Sequence, residues 1–327
     1  MDKRQFAITV AGGLLTAALP PGFVLAQEKY PSKPVTLLVP FPPGGVADIV
    51  ARSLAPALEK KWGQSVVVVN RPGAGGALGT GQLVNARPDG YTLLVALASV
   101  STNPEQERIN KRPAAFQLNQ LMPVARLSMD QMMLAVRAES KYKNLRDLLN
   151  DARAQPGKIS YASSGVYGVY HVATSMFTHA AGVNMNHIPY NGGPPALMAL
   201  LSGDVDVSLV TRSVGLPHLQ SGKLRGLAAW GSEKWSDFPG VPSLKEQGFD
   251  ADYQLWSGLF APAGTPGEVV NVLRDAVRGA MDDPQFKASL LRQQASSAYM
   301  DTPEFQKYWA EDAKRLIDAV QKIGPTN

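Results

Sequence analysis

Cysteine is absent from all 327 residues, which removes disulfides, thiolate metal sites and cysteine nucleophiles together. Histidine is scarce, with four copies at 171, 179, 187 and 218. If His171 and His179 share a helix, they stand roughly 12 Å apart, too far to hold one metal. The chain also lacks H-E-x-x-H, a D-x-D-x-D-G loop, a G-x-S-x-G elbow and a Walker lysine. Neither a cofactor nor a catalytic metal is therefore expected, and the chain does not read as an enzyme. Basic residues do not cluster along any helix face, so nucleic acid is not expected as a partner.

Long apolar runs are missing as well. The longest, over residues 6–19, is short of the roughly 20 residues that span a bilayer. It follows Lys3 and Arg4 and precedes Val24-Leu25-Ala26, a pattern that reads as a secretory signal peptide over residues 1–26. The expected location is the periplasm. Lys3-Arg4-Gln5-Phe6 half-matches a twin-arginine signal, with Lys for the first Arg, so both export routes stay open. Losing Asp2, Lys3 and Arg4 lowers the formal charge of +5 by one, which leans weakly toward anionic partners.

What is present is an alternation of apolar runs of strand length with segments of helical period. Strands are expected over 35–41, 66–70 and 91–97, with helices near 47–62 and 75–86 between them. A second series begins after residue 127, with strands at 132–137, 159–162, 185–190, 205–210 and 224–230, and helices at 145–155, 169–181 and 195–202. A last strand at 253–261 precedes two helices and a long C-terminal one. Continuously apolar strands suit sheets covered on both faces, and the repeat implies parallel βαβ units. The fold class is α/β with two lobes: 27–126 plus 249–327, and 127–248. Two chain crossings between lobes would make a hinged ligand cleft.

In open α/β sheets ligands sit at the carboxyl ends of strands, beside helix N-termini. Those positions supply the candidate site. After the first strand come Phe41, Gly44, Gly45, Ala47 and Asp48, with Asp48 readable equally as a helix cap. The third strand is followed by Ser99 and Ser101. The second lobe offers Ser163, Ser164, Gly165, Val166, Tyr167, Gly168, Val169 and Tyr170, then Tyr190 and Asn191, then Thr211 and Arg212. This inventory of amides, hydroxyls, rings and one guanidinium suits an anionic organic solute and lacks a nucleophile–base pair. Arg212 could clamp a carboxylate bidentately. Tyr167 and Tyr170 could wall a ligand or pack the helix start. The glycines at 73, 75, 76 and 79 follow a strand but miss G-x-G-x-x-G spacing, so a tight turn is the better reading.

The mature chain resembles, nearly end to end, the periplasmic solute-binding receptors of tripartite tricarboxylate transporters, the Bug receptors. The matching stretches are YPSKPVTLLVPFPPGG, NRPGAGG from Asn70, PDGYTLL from Pro88, ISYASSG from Ile159, HIPY from His187, LPH and SGKLR from Leu216 and Ser221, and GLFAPAGTP from Gly258. The resemblance implies a periplasmic-binding-protein fold, type II-like, closing on a small carboxylate that is passed to transiently docked membrane transporter subunits. It also implies a monomer, supports the C-terminal return to the first lobe, and places backbone groups of 41–48 and 163–170 on one carboxylate. The chain departs from the family at Val166-Tyr167-Gly168-Val169-Tyr170 and at Thr211-Arg212. These departures favour a dicarboxylate, aromatic or aliphatic, with its second end at Arg212. A sensor of a signalling system, or an exported enzyme acting on a carboxylate, are the alternatives.

Overall fold

The computed structural model describes residues 30–325, so the signal-peptide reading lies outside the described residues. In chain order the elements begin β1 (Val35–Val39), α1 (Val46–Trp62), β2 (Val66–Asn70), α2 (Ala77–Val84), β3 (Thr92–Leu97) and α3 (Asn103–Ile109). Next come β4 (Leu121–Asp130), β5 (Met132–Arg137), α4 (Leu145–Ala154), β6 (Ser160–Ser163), α5 (Val169–Ala181) and β7 (Asn186–Pro189). Then follow α6 (Gly193–Ser202), β8 (Val207–Thr211), α7 (Arg212–Gln220) and β9 (Leu224–Ala229). The chain closes with β10 (Leu255–Pro262), α8 (Gly267–Asp282), α9 (Pro284–Arg292), β11 (Ser297–Met300) and α10 (Thr302–Ile323).

These strands make two sheets. One has six strands in the order β11-β4-β10-β3-β1-β2, the other five in the order β7-β6-β8-β5-β9. The expected parallel pairs are present in β1–β2, β1–β3, β6–β7 and β6–β8. β10 and β5 instead run antiparallel to their neighbours. Both follow a passage from one sheet to the other, and that reversal of direction is what the simple βαβ repeat does not foresee.

We call the two sheets with their helices lobe 1 and lobe 2. The chain passes from β4 in the first to β5 in the second through Gln131 alone, and returns through residues 230–254. The break expected between 126 and 127 therefore falls inside β4, which stays in the lobe 1 sheet through Asp130. The return segment is held on lobe 2, where Ala229 bridges Ser243.

Leu37, Leu38, Val39, Leu93, Leu94 and Val95 are almost fully buried, as expected for strands covered on both faces. α10 docks its apolar stripe of Phe305, Trp309, Leu316 and Val320 on lobe 1. Each such side chain contributes about 1.5–3 kcal/mol of transfer free energy. Polar tips are satisfied in the same interface: Trp309 Nε1 donates to Ser101 Oγ at 2.9 Å, and Trp256 Nε1 to Asp312 at 2.7 Å.

Four elements escape sequence periodicity. β4 carries Pro123 and Arg126 and does not read as an apolar strand, α3 is short, and β11 is a short edge strand. α7 contains Gly215 and Pro217, both poor helix formers. Gly215 is required there, because a Cβ would stand 2.7 Å from the Val210 side chain.

Candidate functional site

Three helices aim their N-termini at the junction of the lobes. Gly45 precedes α1 of lobe 1, Gly168 precedes α5 and Gly192 precedes α6, both of lobe 2. A cavity of about 30 Å³ lies among them, lined by Phe41, Pro42, Gly45 and Val46 from lobe 1 and by Ser164, Val169, Tyr170, Gly192 and Gly193 from lobe 2. Leu97 and Leu255 at sheet ends, Pro194, and Val214 in the first turn of α7 complete the wall. A second gap of about 20 Å³ shares Phe41, Pro42, Ser164 and Gly192, and adds Gly165, Tyr190 and Asn191 with the Gly73–Gly76 turn. Volumes this small hold a water or two; an organic ligand enters only if the lobes part.

The electrostatics come from the backbone. The first N–H groups of a helix lack intrahelical partners, and the aligned peptides put a partial positive charge there. Among the described residues, no charged side chain lines the cavity. The first turns of α5 and α6 carry no acid, whereas that of α1 carries Asp48, whose charge Arg52 offsets. An anion placed here meets the positive ends of these helices on an apolar wall. It finds few free N–H groups, because α6 opens with Gly193 and then with Pro194 and Pro195, two prolines that have none. Ser164 adds a hydroxyl, itself accepting from the Tyr170 N–H at 3.3 Å. The Tyr170 ring lines the wall, and burial raises its pKa, so the hydroxyl stays protonated beside Thr211.

Of the sequence candidates, Phe41, Gly45, Ser164, Gly165, Val169, Tyr170, Tyr190 and Asn191 stand at these two gaps. Others are placed elsewhere. The buried Asp48 accepts from the Gly44 amide at 2.9 Å, from Asn70 Nδ2 at 2.9 Å and from Arg52 Nε at 2.9 Å. Burial alone would raise its pKa, but these donors and the Arg52 charge outweigh it and hold the carboxyl below its ordinary range. Asp48 thus shapes the β1–α1 turn, and Ala47 is buried behind it. Ser99 Oγ lies 3.4 Å from the Gly75 carbonyl and Ser101 serves Trp309, so both are framework. Thr211 is fully buried, its hydroxyl 3.2 Å from Ser213.

Tyr167 and Arg212 depart most from expectation. Tyr167 is fully buried with φ +54°, and its hydroxyl donates to the Gly324 carbonyl at 2.6 Å, beyond α10 of lobe 1. Asn110 Nδ2 lies 3.3 Å from the same hydroxyl, and the Thr102 hydroxyl 3.3 Å from the Tyr167 carbonyl. All three partners belong to lobe 1, so Tyr167 joins lobe to lobe instead of walling the cavity. Val166 does likewise, its carbonyl 3.4 Å from where a Gly75 Cβ would stand, while Gly168 closes the turn on the Gly165 carbonyl. The Arg212 guanidinium does not face the cavity. It pairs with Asp237 at 2.8 Å and donates to the Gln294 carbonyl of lobe 1 at 3.2 Å.

Beneath the 163–170 loop lies a pair that sequence spacing hid. His187 Nε2 sits 2.6 Å from Ser163 Oγ, and the His187 ring stacks on His171 at 3.9 Å between centroids. His171 Nδ1 accepts the Tyr167 N–H at 2.8 Å. The Ser163–His187 distance would suit a nucleophile and base, but Ser163 is fully buried and its hydroxyl is also engaged with Gly165. The pair holds the loop.

Sequence reasoning missed Leu97, Pro194, Val214 and Leu255 as lining residues; Pro42 and Val46 fall within the expected 41–48 segment, and Gly192 and Gly193 at the strand end after Tyr190 and Asn191. Gly192 carried a signal, since Asn-Gly-Gly ends a strand. Its φ of +114° excludes most other residues, and a Cβ there would stand 2.8 Å from Pro42 across the cleft.

Comparison with known proteins gives consistent matches. A family model described as "Tripartite tricarboxylate transporter family receptor" matches residues 50–324. A Cupriavidus necator protein described as "UPF0065 protein in gbd 5'region" is 35% identical over 99% of this chain and 98% of its own length. The solved "periplasmic binding protein BugD" is 29% identical with TM-score 0.82, over 90% of this chain and 98% of that one. "R. palustris Rpa4515 with adipate" is 26% identical with TM-score 0.83, over 91% and 100%.

Proposed function

The chain belongs to the tripartite tricarboxylate transporter receptor family, and on that premise we propose that it captures a small carboxylate between its lobes and delivers it to a tripartite tricarboxylate-type membrane transporter. Members of the family are periplasmic solute-binding receptors and not enzymes. Among the described residues, no helix is long and apolar enough to cross a membrane.

The observation that carries the carboxylate is the meeting of the α1, α5 and α6 N-termini at a cavity wall without charged side chains. The adipate-bound relative supports the same ligand class. A dicarboxylate, aliphatic or aromatic, remains compatible with that grip. Its second carboxylate would gain Arg212 only by displacing Asp237 from a paired guanidinium.

The test is a thermal-shift screen of mono-, di- and tricarboxylates with neutral sugars as controls, followed by calorimetry of each hit. Ligand at a hundredfold excess over Kd stabilises by about 2.7 kcal/mol. One-to-one binding of a carboxylate without turnover is expected. Stabilisation by sugars alone would reject the reading. Delivery is tested by uptake of the bound carboxylate in cells with and without this chain. Unchanged uptake would instead assign the receptor to sensing.

A further inference from the structure

Asp130 is the last residue of β4 and borders Gln131, the single residue through which the chain first passes between lobes. It is buried, yet one carboxyl oxygen, Oδ1, has no hydrogen-bond partner, whereas Oδ2 accepts from the Ser213 hydroxyl. A buried, unpaired carboxylate oxygen is costly and uncommon. Burial pushes the carboxyl up to about 7, against the pull of Ser213, the Gln131 amide and the Arg212 charge.

Sheet register fixes the face on which this carboxyl stands. Asp130 lies directly opposite Leu255 in the antiparallel β4–β10 pair, and two residues along Ser128 faces Ser257. Directly opposed residues share a face with their Cβ atoms about 5 Å apart. The Ser128–Ser257 hydroxyl contact at 2.6 Å confirms that face for this register. Leu255 lines the cavity, as does Val214, next in chain to the Ser213 that holds Asp130. Tyr170, on the same wall, lies within the field of the Asp130 charge. Arg212, the nearby cation, is turned to Asp237 and Gln294.

We propose that Asp130 reads the end of the ligand opposite its carboxylate, selecting small carboxylates with a hydroxyl or ammonium donor there over dicarboxylates of equal length. The inference rests on the carboxylate-receptor reading and deepens it. Asp130 stands behind the wall that Leu255 and Val214 form and is not itself a lining residue, so a ligand reaches it as the lobes part and re-close. Above about pH 7, where the carboxyl is ionised, it then offers an acceptor that lacks a donor. A donor there supplies the partner that Oδ1 lacks. A second carboxylate would set two acceptors against each other with no free cation on the cavity wall.

Calorimetry with matched probes tests this directly: 4-(hydroxymethyl)benzoate against terephthalate, and 4-hydroxybutyrate and 4-aminobutyrate against succinate, at pH 8. Wild type is expected to bind the donor member of a pair at least about tenfold tighter. In Asp130→Asn, whose amide both donates and accepts, that preference should shrink to about threefold or reverse. Equal or tighter binding of the dicarboxylates by wild type would overturn the inference without needing the variant to fold. So would a folded Asp130→Asn protein that keeps the full preference. If no carboxylate in any panel binds, the receptor reading itself falls, a separate outcome from carboxylate binding without preference.

Discussion

Replacing Tyr167 with Phe isolates the join between the lobes. The ring, its burial and its positive φ are kept, and only the hydroxyl is lost. That removes a 2.6 Å bond to the Gly324 carbonyl and a 3.3 Å contact with Asn110. A buried hydrogen bond contributes a net 0.5–1.5 kcal/mol, and stranding its acceptor costs more. Gly324 is half-buried, so water can partly re-satisfy its carbonyl, and about 1 kcal/mol is the working figure. Because Tyr167 belongs to lobe 2 and Gly324 to lobe 1, the loss falls on the lobe-to-lobe contact. Closure should weaken by about fivefold, and apparent Kd should rise by the same factor if ligand is held only between closed lobes. Calorimetry with the best carboxylate of the panel measures the affinity, and small-angle scattering at saturating ligand measures closure. An affinity within twofold of wild type would refute the reasoning. So would a lost affinity with no shift toward a more open particle.

Other expectations follow from single contacts. Arg212→Ala should lower stability by about 1 kcal/mol in urea unfolding and weaken mono- and dicarboxylates alike, since its guanidinium serves Asp237 and Gln294; a selective loss of dicarboxylates would return Arg212 to the ligand. Gly192→Ala should leave a folded protein with binding reduced at least about tenfold, because a φ of +114° strains any side chain and the added Cβ meets Pro42; wild-type affinity in calorimetry would contradict this. His171 and His187 should make the protein acid-sensitive. Burial lowers His171 to about 3, helped by the His187 charge, and lowers His187 to about 4. The unfolded chain takes up those protons near 6.5, so their contribution is full above about pH 7 and falls as pH drops toward 4. The loss should be on the order of 3 kcal/mol for His171 by pH 4.5, and less for the more exposed His187. Urea unfolding at pH 7.5, 6 and 4.5 measures it, and a His187→Gln protein with the wild-type pH slope would rule out that ring as a source.

Much of the scaffold is readable from local pattern because its strands are apolar throughout and its helices follow them at short spacing. β2, β5 and α5 fall on the expected residues. Elements set by tertiary context are not readable in that way. β4 is recruited by its antiparallel neighbours β10 and β11 in spite of Pro123 and Arg126, and α7 forms although Gly215 and Pro217 disfavour it. The same division runs through the site. Backbone-driven features, the glycines and small residues before α1, α5 and α6, follow from strand ends that turn into helices. Side chains with long reach do not. Tyr167 and Arg212 have the chemistry of ligand contacts, yet each finds a partner in the other lobe that no local spacing can disclose.

Asp130 is the converse case. Within the sequence LSMDQMML it is an unremarkable acid between two strands, and nothing in its neighbours marks it for a site. Its interest arises only when register sets it opposite Leu255 and α7 folds Ser213 over it. Leu255 and Tyr170, on the cavity wall beside it, are themselves buried. Affinity and selectivity then depend on different parts of the molecule. On the proposals above, helix N-termini of both lobes take the carboxylate and Asp130 discriminates at the far end, while Tyr167 and Arg212 contact the other lobe. Substitutions at Tyr167 and Asp130 should therefore act additively on binding free energy, since one alters closure and the other ligand preference. Coupling well beyond about 0.5 kcal/mol in the double-mutant cycle would mean that the hinge and the lobe-to-lobe join act as one element.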